Sequence, residues 1–354
     1  MKKKYINKIH YNLKENLEDS VSKELSSIKK KYDLKEVINI INSITTNNIT
    51  IIGDPIVDVY KYCSTIGTSS KSPSLAMITN YSEEYLGGSL AVAQMLSCLG
   101  CKVTLVSYRP IKKIKILNKI NKNIKYINCF RALKFPMVER IVDQPRFVKM
   151  LQIYNSKIIK FSSSQENKII NCLKNFKNKT NLFLVTDFGF GFLTKKVINF
   201  LDKSNANYAL NCHLNSLNIN YNYFDKYKNY SYLTFNRREF EVNFRGEETL
   251  EKKILIAQKK IKKTFAVTLG SMGSYLIHKK NKNLFPAIYK EIIDPVGCGD
   301  AYFAITSALQ NNTKDLKLIN FLGNVYAGMH GMTICNKEFV RQEDFINNIK
   351  KILS

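Results

Sequence analysis

The segment from Asp294 to Asp300, which reads Asp-Pro-Val-Gly-Cys-Gly-Asp, has residue types and a spacing that suit chemistry on an anion. Two glycines stand just before a small and apolar run, residues 301–305, which is typical of a buried helix. Backbone N–H groups at such a helix start can converge on one point, and the helix dipole adds partial positive charge there. The segment therefore predicts a phosphate-binding hole; a capped helix with a glycine-rich approach is the alternative interpretation.

Asp300 stands at the start of that predicted helix, beside the predicted anion. A carboxylate in this position is electrostatically unfavourable unless it must take a proton from an attacking hydroxyl group. We therefore predict that Asp300 is a general base.

Acidic and glycine residues at the ends of two other predicted elements agree with such a site. Asp54 follows a strand and Asp58 comes four residues later. Carboxylates at strand ends can accept hydrogen bonds from sugar hydroxyls. Gly87 and Gly88 precede a helix that starts with small residues, which would let a ligand approach the backbone closely.

Two further segments suit a nucleotide and its metal ion. Asn236 and Glu239 follow a strand at an N-x-x-E spacing, which suits water-mediated binding of Mg²⁺ together with phosphate. The run from Thr268 to Gly273 follows another strand and resembles a nucleotide-side loop. Each of these segments alone is as compatible with a turn or a helix cap, but their order along the chain favours one common site.

The elements that must position these residues alternate between strands and helices from residue 49 onward. Such alternation predicts a mainly parallel sheet with helices on both faces. Residues 59–86 and 130–160 interrupt it with polar, β-rich sequence, which predicts a small extra sheet. The predicted strands are Ile49–Ile52, Val103–Val106, Leu182–Thr186, Tyr208–Leu210, Tyr232–Thr234 and Phe265–Leu269, and the predicted helices include Leu90–Leu99, Lys195–Leu201 and Leu250–Lys262.

Residues 1–46 are predicted to form a helical extension ahead of one domain at residues 47–354. An apolar stripe that recurs every three or four positions is typical of a long amphipathic helix. Asp33 and Glu36 have the spacing of a capping box that would begin a second helix. We expect this extension to be a packing arm or a dimer contact. The stripe consists of Ile6, Ile9, Leu13, Leu17, Val21, Leu25 and Ile28.

The composition excludes some classes of protein and leaves others open. With 45% hydrophobic residues in 354, the chain is neither disordered nor fibrous. No stretch approaches the roughly 20 apolar residues of a membrane span, and the first residues lack the apolar core of a signal peptide, so we expect a cytoplasmic protein without a membrane partner.

The charge is strongly positive, because 55 Lys and Arg residues outweigh 28 Asp and Glu residues to give +27. Such a charge raises nucleic acids, acidic membranes and phosphorylated substrates as partners. The abundance of Lys, Asn and Ile and the absence of Trp are also typical of an AT-rich coding sequence. The densest basic run, residues 109–134, reads as ordinary amphipathic sequence, which disfavours a nucleic-acid partner.

In this order, the motifs resemble those of the PfkB family of carbohydrate kinases. The matching elements are Gly87-Gly88, Asn236 to Glu239, Thr268 to Gly273 and Asp294 to Asp300, and the resemblance covers the chain from about Ile49 onward. Within the family, Gly53–Tyr60, Glu84–Gly88 and Thr186–Leu193 look most similar to the heptose 7-phosphate kinase domain of bifunctional ADP-heptose synthases. The nucleotidyltransferase half of those enzymes has no counterpart in this chain.

The resemblance implies a ribokinase-like three-layer α/β fold with a small β lid, and phosphoryl transfer from ATP to a sugar or sugar phosphate. Asp300 would deprotonate the acceptor hydroxyl, and the amides of Gly297, Cys298 and Gly299 would hold the transferred group. Mg²⁺ would bridge the nucleotide phosphates, with Asn236 and Glu239 placing it or its waters. A homodimer through the lid is expected.

The resemblance also implies which residues hold the two substrates. Asp54, Asp58, Gly87 and Gly88 would bind the sugar. Thr268, Gly270 and Gly273 would line the ATP side, and Asn324 would approach the base. Lys134, Arg140 and Arg146 are candidates for binding the phosphate of a sugar phosphate.

His213 is expected to be a hydrogen-bonded histidine near the surface.

Several departures from the family leave the acceptor open. Ala91 replaces an asparagine that usually contacts sugar, the Phe188 region lacks a lysine found in heptose kinases, and Asn211 stands where an acid is expected. A nucleoside or simple-sugar kinase of the same fold is therefore an alternative, as is a pseudokinase that binds sugar phosphate without turnover. A basic nucleic-acid binder is a further alternative.

Overall fold

The computed structural model describes residues 19–289 and 291–354. Of the predicted apolar stripe, Ile6, Ile9, Leu13 and Leu17 lie outside the described residues. Helix α1 is described over residues 19–31 and α2 over Leu34–Ser43, with Asp33 at its N-cap. The Asp33 side chain makes no capping hydrogen bond, so the capping box predicted there is wrong in its bonding although the helix begins where expected.

The N-terminal helices pack on the C-terminal part of the chain. Lys317 forms an ion pair with Glu24, and Lys31 forms one with Asp315, each with an N···O distance of 2.7 Å. Ile28 is fully buried. These contacts join α1 to the start of a C-terminal helix, and α2 contacts two other C-terminal helices. The boundary between extension and domain remains a prediction.

A nine-stranded sheet forms the centre of the molecule, in the order β13-β12-β11-β10-β9-β8-β1-β4-β5. Its strands run parallel from β11 to β5, while β12 and β13 form an antiparallel edge. The predicted mainly parallel sheet is confirmed. Its strands are β1 (Asn48–Gly53), β4 (Lys102–Pro110), β5 (Lys125–Ala132), β8 (Leu182–Asp187), β9 (Tyr208–Cys212), β10 (Tyr232–Asn236), β11 (Thr264–Thr268), β12 (Ser274–His278) and β13 (Asn281–Phe285).

Helices cover the sheet in two groups. In the first group, α8 contacts α2, α3 and α9, and α10 contacts α2 and α9. In the second group, α4 packs on α5, β4 and β5, and α6 packs on β10 and β11. The remaining helices are α3 (Ser89–Cys98), α4 (Ser163–Lys177), α5 (Lys195–Lys203), α6 (Arg237–Asn243), α7 (Leu250–Lys260), α8 (Cys298–Asn312), α9 (Leu316–His330) and α10 (Gln342–Leu353).

A separate four-stranded sheet, the lid, has the order β3-β2-β6-β7. Its strands are β2 (Pro55–Thr68), β3 (Leu75–Gly88), β6 (Met137–Asp143) and β7 (Val148–Tyr154). The small extra sheet predicted at residues 59–86 and 130–160 is thus found at nearly those positions. Residues 130–132 were placed wrongly, because they end β5 in the large sheet, where Arg131 pairs with Arg109 of β4.

The chain enters the lid from β1 and leaves it into α3. Strand β1 ends at Gly53, β2 begins at Pro55, and β3 returns to Gly88, which caps α3 with a φ of 56°. A left-handed φ favours glycine. The lid therefore hangs from the carboxyl edge of the parallel strands, which is where parallel sheets place their ligand sites.

Candidate active site

A cavity of about 630 Å³ lies between the lid, the carboxyl ends of β9–β11 and the beginning of α8. We call the wall formed by the lid and the loop after β8 the lid side, and the wall formed by the segments after β11 and β13 the β11 side. Twelve of the fourteen site residues predicted from the sequence line this cavity: Asp58, Gly88, Asn236, Glu239, Thr268, Gly270, Gly273, Gly297, Cys298, Gly299, Asp300 and Asn324. Asp54 and Gly87 do not.

The N-terminus of α8 opens on the cavity. Gly297 is its N-cap, with a φ of 90°, and a Cβ there would lie 2.5 Å from Asn336 Oδ1 and 2.7 Å from His330 Nε2. Gly299 has open space where a Cβ would stand. The N–H of Cys298 donates to the Pro295 carbonyl at 3.3 Å, so this amide is less available than predicted.

Asp300 is the third residue of α8 and faces the cavity. Burial raises the pKa of its carboxyl group to about 7, and the charges of Glu239 and Asp58 act in the same direction, while His213 lowers it. A carboxyl group with a pKa near neutrality can be ionised and still accept a proton effectively. The position and the pKa both suit a general base.

Asp294 ties the loop before α8 to the lid. Its fully buried carboxylate accepts hydrogen bonds from the Tyr60 hydroxyl at 2.7 Å and from the Cys335 N–H at 3.1 Å. Lys149 of β7 adds an ion pair at 2.5 Å. Side chains of two lid strands thus contact the carboxylate of Asp294, which couples the lid to the loop before α8.

On the lid side, Asp58 lines the cavity and forms an ion pair with Arg140 of β6. Gly87 acts indirectly, because a Cβ there would stand 2.2 Å from Asp58 Oδ2. Of the three basic candidates for a sugar phosphate, Arg140 lines the cavity, whereas Lys134 and Arg146 do not.

Asp54 has a different position from the one its sequence context predicted. Its carboxylate is fully buried and accepts the N–H groups of Phe188, Phe190 and Phe192 at 3.1, 3.2 and 3.0 Å. Burial, followed by the charge of Asp187, raises its pKa to about 7. Asp54 therefore holds the loop after β8, and sequence alone could not separate this role from ligand binding.

That loop contributes an apolar patch to the lid side. Phe188 and Phe190 cluster with Ile56 and Val138, and Tyr154 packs against them. The sequence did not predict this apolar patch, because its members come from distant parts of the chain.

Two departures from the family pattern lie in different places. Ala91 is fully buried and outside the cavity wall, whereas Asn211 lines the cavity and donates from Nδ2 to Thr234 Oγ1 at 2.9 Å.

The β11 side is built mainly of backbone and small residues. Gly273 has a φ of 93°, and a Cβ there would stand 2.0 Å from the Phe285 carbonyl oxygen. Asn324 of α9 lines this side and donates to Ser274 Oγ at 2.8 Å. Sequence reasoning missed Ile288, Tyr289 and Ala327, which complete an apolar recess and carry no motif.

The N-x-x-E element forms the capping box of α6. Asn236 Oδ1 accepts the Glu239 N–H at 2.8 Å, and Glu239 accepts the Asn236 N–H at 2.7 Å. Glu239 also accepts Leu214 N–H at 3.2 Å and pairs with His213 Nδ1 at 2.8 Å. Among the described residues, no group of three or more His, Cys, Asp or Glu side chains could hold a metal ion. These residues fit Mg²⁺ only through water and substrate phosphates.

His213 is hydrogen-bonded, and it also lines the cavity. Burial alone would lower its pKa, but the Glu239 carboxylate and the charge of Asp300 raise it overall. The hydrogen-bonded histidine near the surface that the sequence predicted is thus confirmed, and its side chain, 36% exposed, also lines the cavity that contains Asp300. The partner that brings it there, Glu239, is 26 residues away in the sequence.

Within residues 19–289 and 291–354, every helix is too short or too polar to span a membrane.

The parallel sheet, the β lid and the cavity at a helix N-terminus with an acid in its first turn are the features that the sequence resemblance led us to expect. Residues 197–330 match the model of the pfkB family carbohydrate kinases. The resemblance to the PfkB family that the motifs predicted is thereby confirmed over these residues.

Curated relatives agree with the branch of the family that the motifs indicated. The chain is 29% identical over 322 residues to the bifunctional protein HldE of Campylobacter jejuni subsp. doylei, covering 86% of this chain and 66% of the relative. It is 24% identical over 290 residues to HldE of Campylobacter curvus, covering 79% and 60%. The chain thus spans about 60% of the length of the first curated relatives.

Solved structures share the fold at low sequence identity. Phosphofructokinase-2 from Escherichia coli superposes with a TM-score of 0.68 at 13% identity, covering 87% of this chain and 99% of that one. The nucleoside kinase of Methanocaldococcus jannaschii gives 0.60 at 18% identity, with 86% and 98% covered. The ribokinase of Thermotoga maritima gives 0.62 at 17% identity, with 86% and 99% covered. The ribokinase-like fold is confirmed.

Proposed function

We propose that this chain is an ATP-dependent kinase that transfers the γ-phosphate to a hydroxyl of a sugar or sugar phosphate. The family match supports the class of sugar kinases. The observation that carries the proposal is Asp300: it stands in the first turn of α8, faces the cavity between the lid side and the β11 side, and has a pKa of about 7.

In the proposed reaction the acceptor lies on the lid side and ATP on the β11 side. Asp300 takes the proton of the acceptor hydroxyl as its oxygen attacks the γ-phosphorus, and the bond to the β,γ-bridging oxygen breaks. The N–H groups of Gly297, Cys298 and Gly299 stabilise the charge on the transferred group. Cys298 shares its N–H with the Pro295 carbonyl, so this amide is the least available of the three.

Mg²⁺ would neutralise the nucleotide phosphates when bound. Asn236 and Glu239 would hold its water shell, because the Glu239 carboxylate already accepts three protein hydrogen bonds. Thr268, Gly270, Gly273 and Asn324 would form the nucleotide wall, and the recess around Tyr289 would take the base.

We propose a heptose phosphate or similar sugar phosphate as the acceptor. The bifunctional HldE relatives support this choice, although this chain matches only part of each. Asp58 and Gly88 would contact the sugar, and Arg140 would contact its phosphate. Asp54 and Gly87 would act indirectly, by placing the 188–192 loop and the Asp58 carboxylate.

A nucleoside or simple-sugar acceptor is the second candidate. The apolar patch of Phe188, Phe190 and Tyr154 on the lid side favours it, because aromatic side chains stack on the flat face of a base. A pseudokinase would bind one of these ligands without turnover.

We also propose that residues 47–354 are the catalytic domain and that residues 1–46 are a packing arm, as the ion pairs of α1 with α9 suggest. A homodimer through the lid is supported by the apolar side chains that the lid exposes, which include Ile66, Leu75, Ile78 and Leu151.

The test measures ATP consumption by the purified protein with Mg²⁺ against sugars, sugar phosphates and nucleosides. Acceptor-dependent turnover is expected in the parent and in Asp344→Asn, and it should be lost in Asp300→Asn. Asp344 is a matched control because it occupies the same third position in α10, exposed and outside the cavity wall. ATP binding without turnover on any acceptor would favour the pseudokinase.

A further inference from the structure

His213 is held more firmly than a surface histidine requires. Its N–H donates to the Asp187 carbonyl at 2.8 Å, and its carbonyl accepts from the side chains of Asn218 and Asn222, both at 3.0 Å. Both backbone groups are therefore fixed, although the residue lies in a loop just after β9. A site residue needs this kind of support to keep one geometry.

The imidazole ring is fixed as well. Nδ1 contacts Glu239 Oε1 at 2.8 Å, and the ring packs at 5.2 Å from the Phe188 ring. Glu239 is itself held by the N–H groups of Asn236 and Leu214. A carboxylate on one ring nitrogen sets the ring orientation and favours the doubly protonated ring, in which Nε2 carries a hydrogen.

Nε2 is the ring atom left for a ligand. It makes no hydrogen bond within residues 19–289 and 291–354, and the side chain, 36% exposed, lines the cavity. Asp300, Glu239 and Arg140 are the charged groups that act on the ring from α8, α6 and β6. The ring thus faces the region where the proposed phosphoryl transfer takes place.

The cavity has few other cations to offer a phosphate. Its described wall contains no lysine, Arg140 is paired with Asp58, and Arg237 is paired with Glu241. Arg238 is exposed at the rim. Phosphate oxygens are held best by charge-assisted donors in fixed positions. Arg140 and His213 are the two cavity-lining cations that an acidic partner from another segment fixes, and His213 is the one on which the charge of Asp300 acts.

We propose that His213 is a phosphate-binding residue whose Nε2–H donates a hydrogen bond to a phosphate oxygen of a substrate beside Asp300. The inference rests on the proposed function, which brings phosphates into this cavity. The oxygen can belong to the phosphate chain of ATP or to a phosphorylated acceptor, and the experiment below separates these sources.

Two variants test the two ring nitrogens of His213 separately. His213→Asn keeps an N–H near the position of Nδ1 and therefore the contact with Glu239, but it removes Nε2. His213→Gln places an N–H near the position of Nε2 and gives up the contact with Glu239. A phosphate-binding role predicts that His213→Asn loses affinity for the phosphate ligand and His213→Gln retains it, whereas a role confined to holding Glu239 in place predicts the reverse.

The first arm titrates ATP, ADP and AMP into each variant calorimetrically without an acceptor, and the unfolding midpoint checks the fold. Loss of a hydrogen bond to a charged group should weaken ATP binding about 10- to 100-fold in His213→Asn, with AMP unchanged and His213→Gln close to the parent. The second arm measures KM for a sugar phosphate against the same sugar without phosphate. A loss confined to the sugar phosphate assigns the contact to the acceptor.

Three outcomes would overturn the inference: both variants matching the parent in both arms, His213→Gln losing affinity where His213→Asn retains it, or a parent that binds neither ATP nor a sugar phosphate. The first two would leave the proposed function intact if the parent turns over. A parent that binds ATP but never turns over contradicts the proposed function, while the ATP titrations still decide the role of His213.

Discussion

On the β11 side of the cavity the residues predicted from the sequence are mostly glycines and loop backbone beside the recess around Tyr289, whereas the lid side is walled by long side chains from three separate segments. Gly273 cannot accept a Cβ because the Phe285 carbonyl would be 2.0 Å away. On the lid side, Asp58 meets Arg140 across two strands, and Phe188 is placed by Asp54. The difference shows that a wall made of glycines and loop backbone can be predicted from local motifs, whereas a wall made of side chains from distant segments depends on packing.

The N-terminus of α8 opens on the cavity between the two sides, so a substitution of Asp300 in its first turn should have the largest effect. We expect Asp300→Asn to lower kcat by about 10²–10⁴-fold, the usual contribution of a positioned base. Binding of ATP should change little, because the substitution keeps the size of the side chain. Steady-state kinetics and ATP titration would check this, and a variant with parental kcat would show that neither side depends on Asp300.

The same substitution should stabilise the fold. Burial raises the pKa of Asp300 from 3.8 to about 7, so the folded state holds the proton more tightly than the unfolded state. The ionised carboxylate therefore destabilises the protein increasingly between these two pH values and fully above about 7. The unfolding midpoint of Asp300→Asn should exceed that of the parent at pH 8, and the gap should close toward pH 4.

The pH dependence of kcat/KM tests whether ionisation of Asp300 limits turnover. Because Asp300 must be ionised and its pKa is about 7, kcat/KM should fall about tenfold per pH unit below 7 and level off above it. Nucleotide affinity measured over the same range serves as the control. A rate that is flat down to pH 5 would contradict the assignment of the base.

Gly273→Ala should damage the β11 side alone. The added Cβ meets the Phe285 carbonyl and the left-handed φ of 93° is strained for alanine, so we expect a cost of about 3 kcal/mol and a raised KM for ATP. Gly67→Ala is the matched control, because its φ of 146° is also positive, a Cβ there meets nothing within 4 Å, and Gly67 stands outside the cavity wall. A raised KM for the acceptor instead would break the division into two sides.

Asp54→Ala should damage the lid side alone. Three buried N–H groups of the 188–192 loop lose their acceptor, and because the cost of burying the carboxylate offsets part of this, we expect a loss of about 2 kcal/mol in unfolding free energy. KM for the acceptor should rise and KM for ATP should not. Asp202→Ala is the control, since Asp202 also accepts backbone N–H groups, of Lys228 and Asn229, but stands outside the cavity wall.

Much of the fold follows from local signals. The strands β1, β4, β8, β9, β10 and β11 were each predicted within a few residues, because buried parallel strands read as short apolar runs. Strand β5 was missed since its basic residues and edge position hide the apolar pattern, and β12 and β13 were missed because an antiparallel edge has no helix to separate its strands.

The sequence by itself determined the segments that meet at the cavity, because glycines, caps and strand ends act through backbone geometry that is set locally. It also placed Asp300 at a helix start. Only the tertiary structure decided that Asp54 supports a loop, that Arg140 meets Asp58, and that His213 pairs with Glu239 on the wall of the cavity that contains Asp300. Each of these roles depends on a partner from a distant part of the chain, and the burial that shifts a pKa exists only after those parts have packed together.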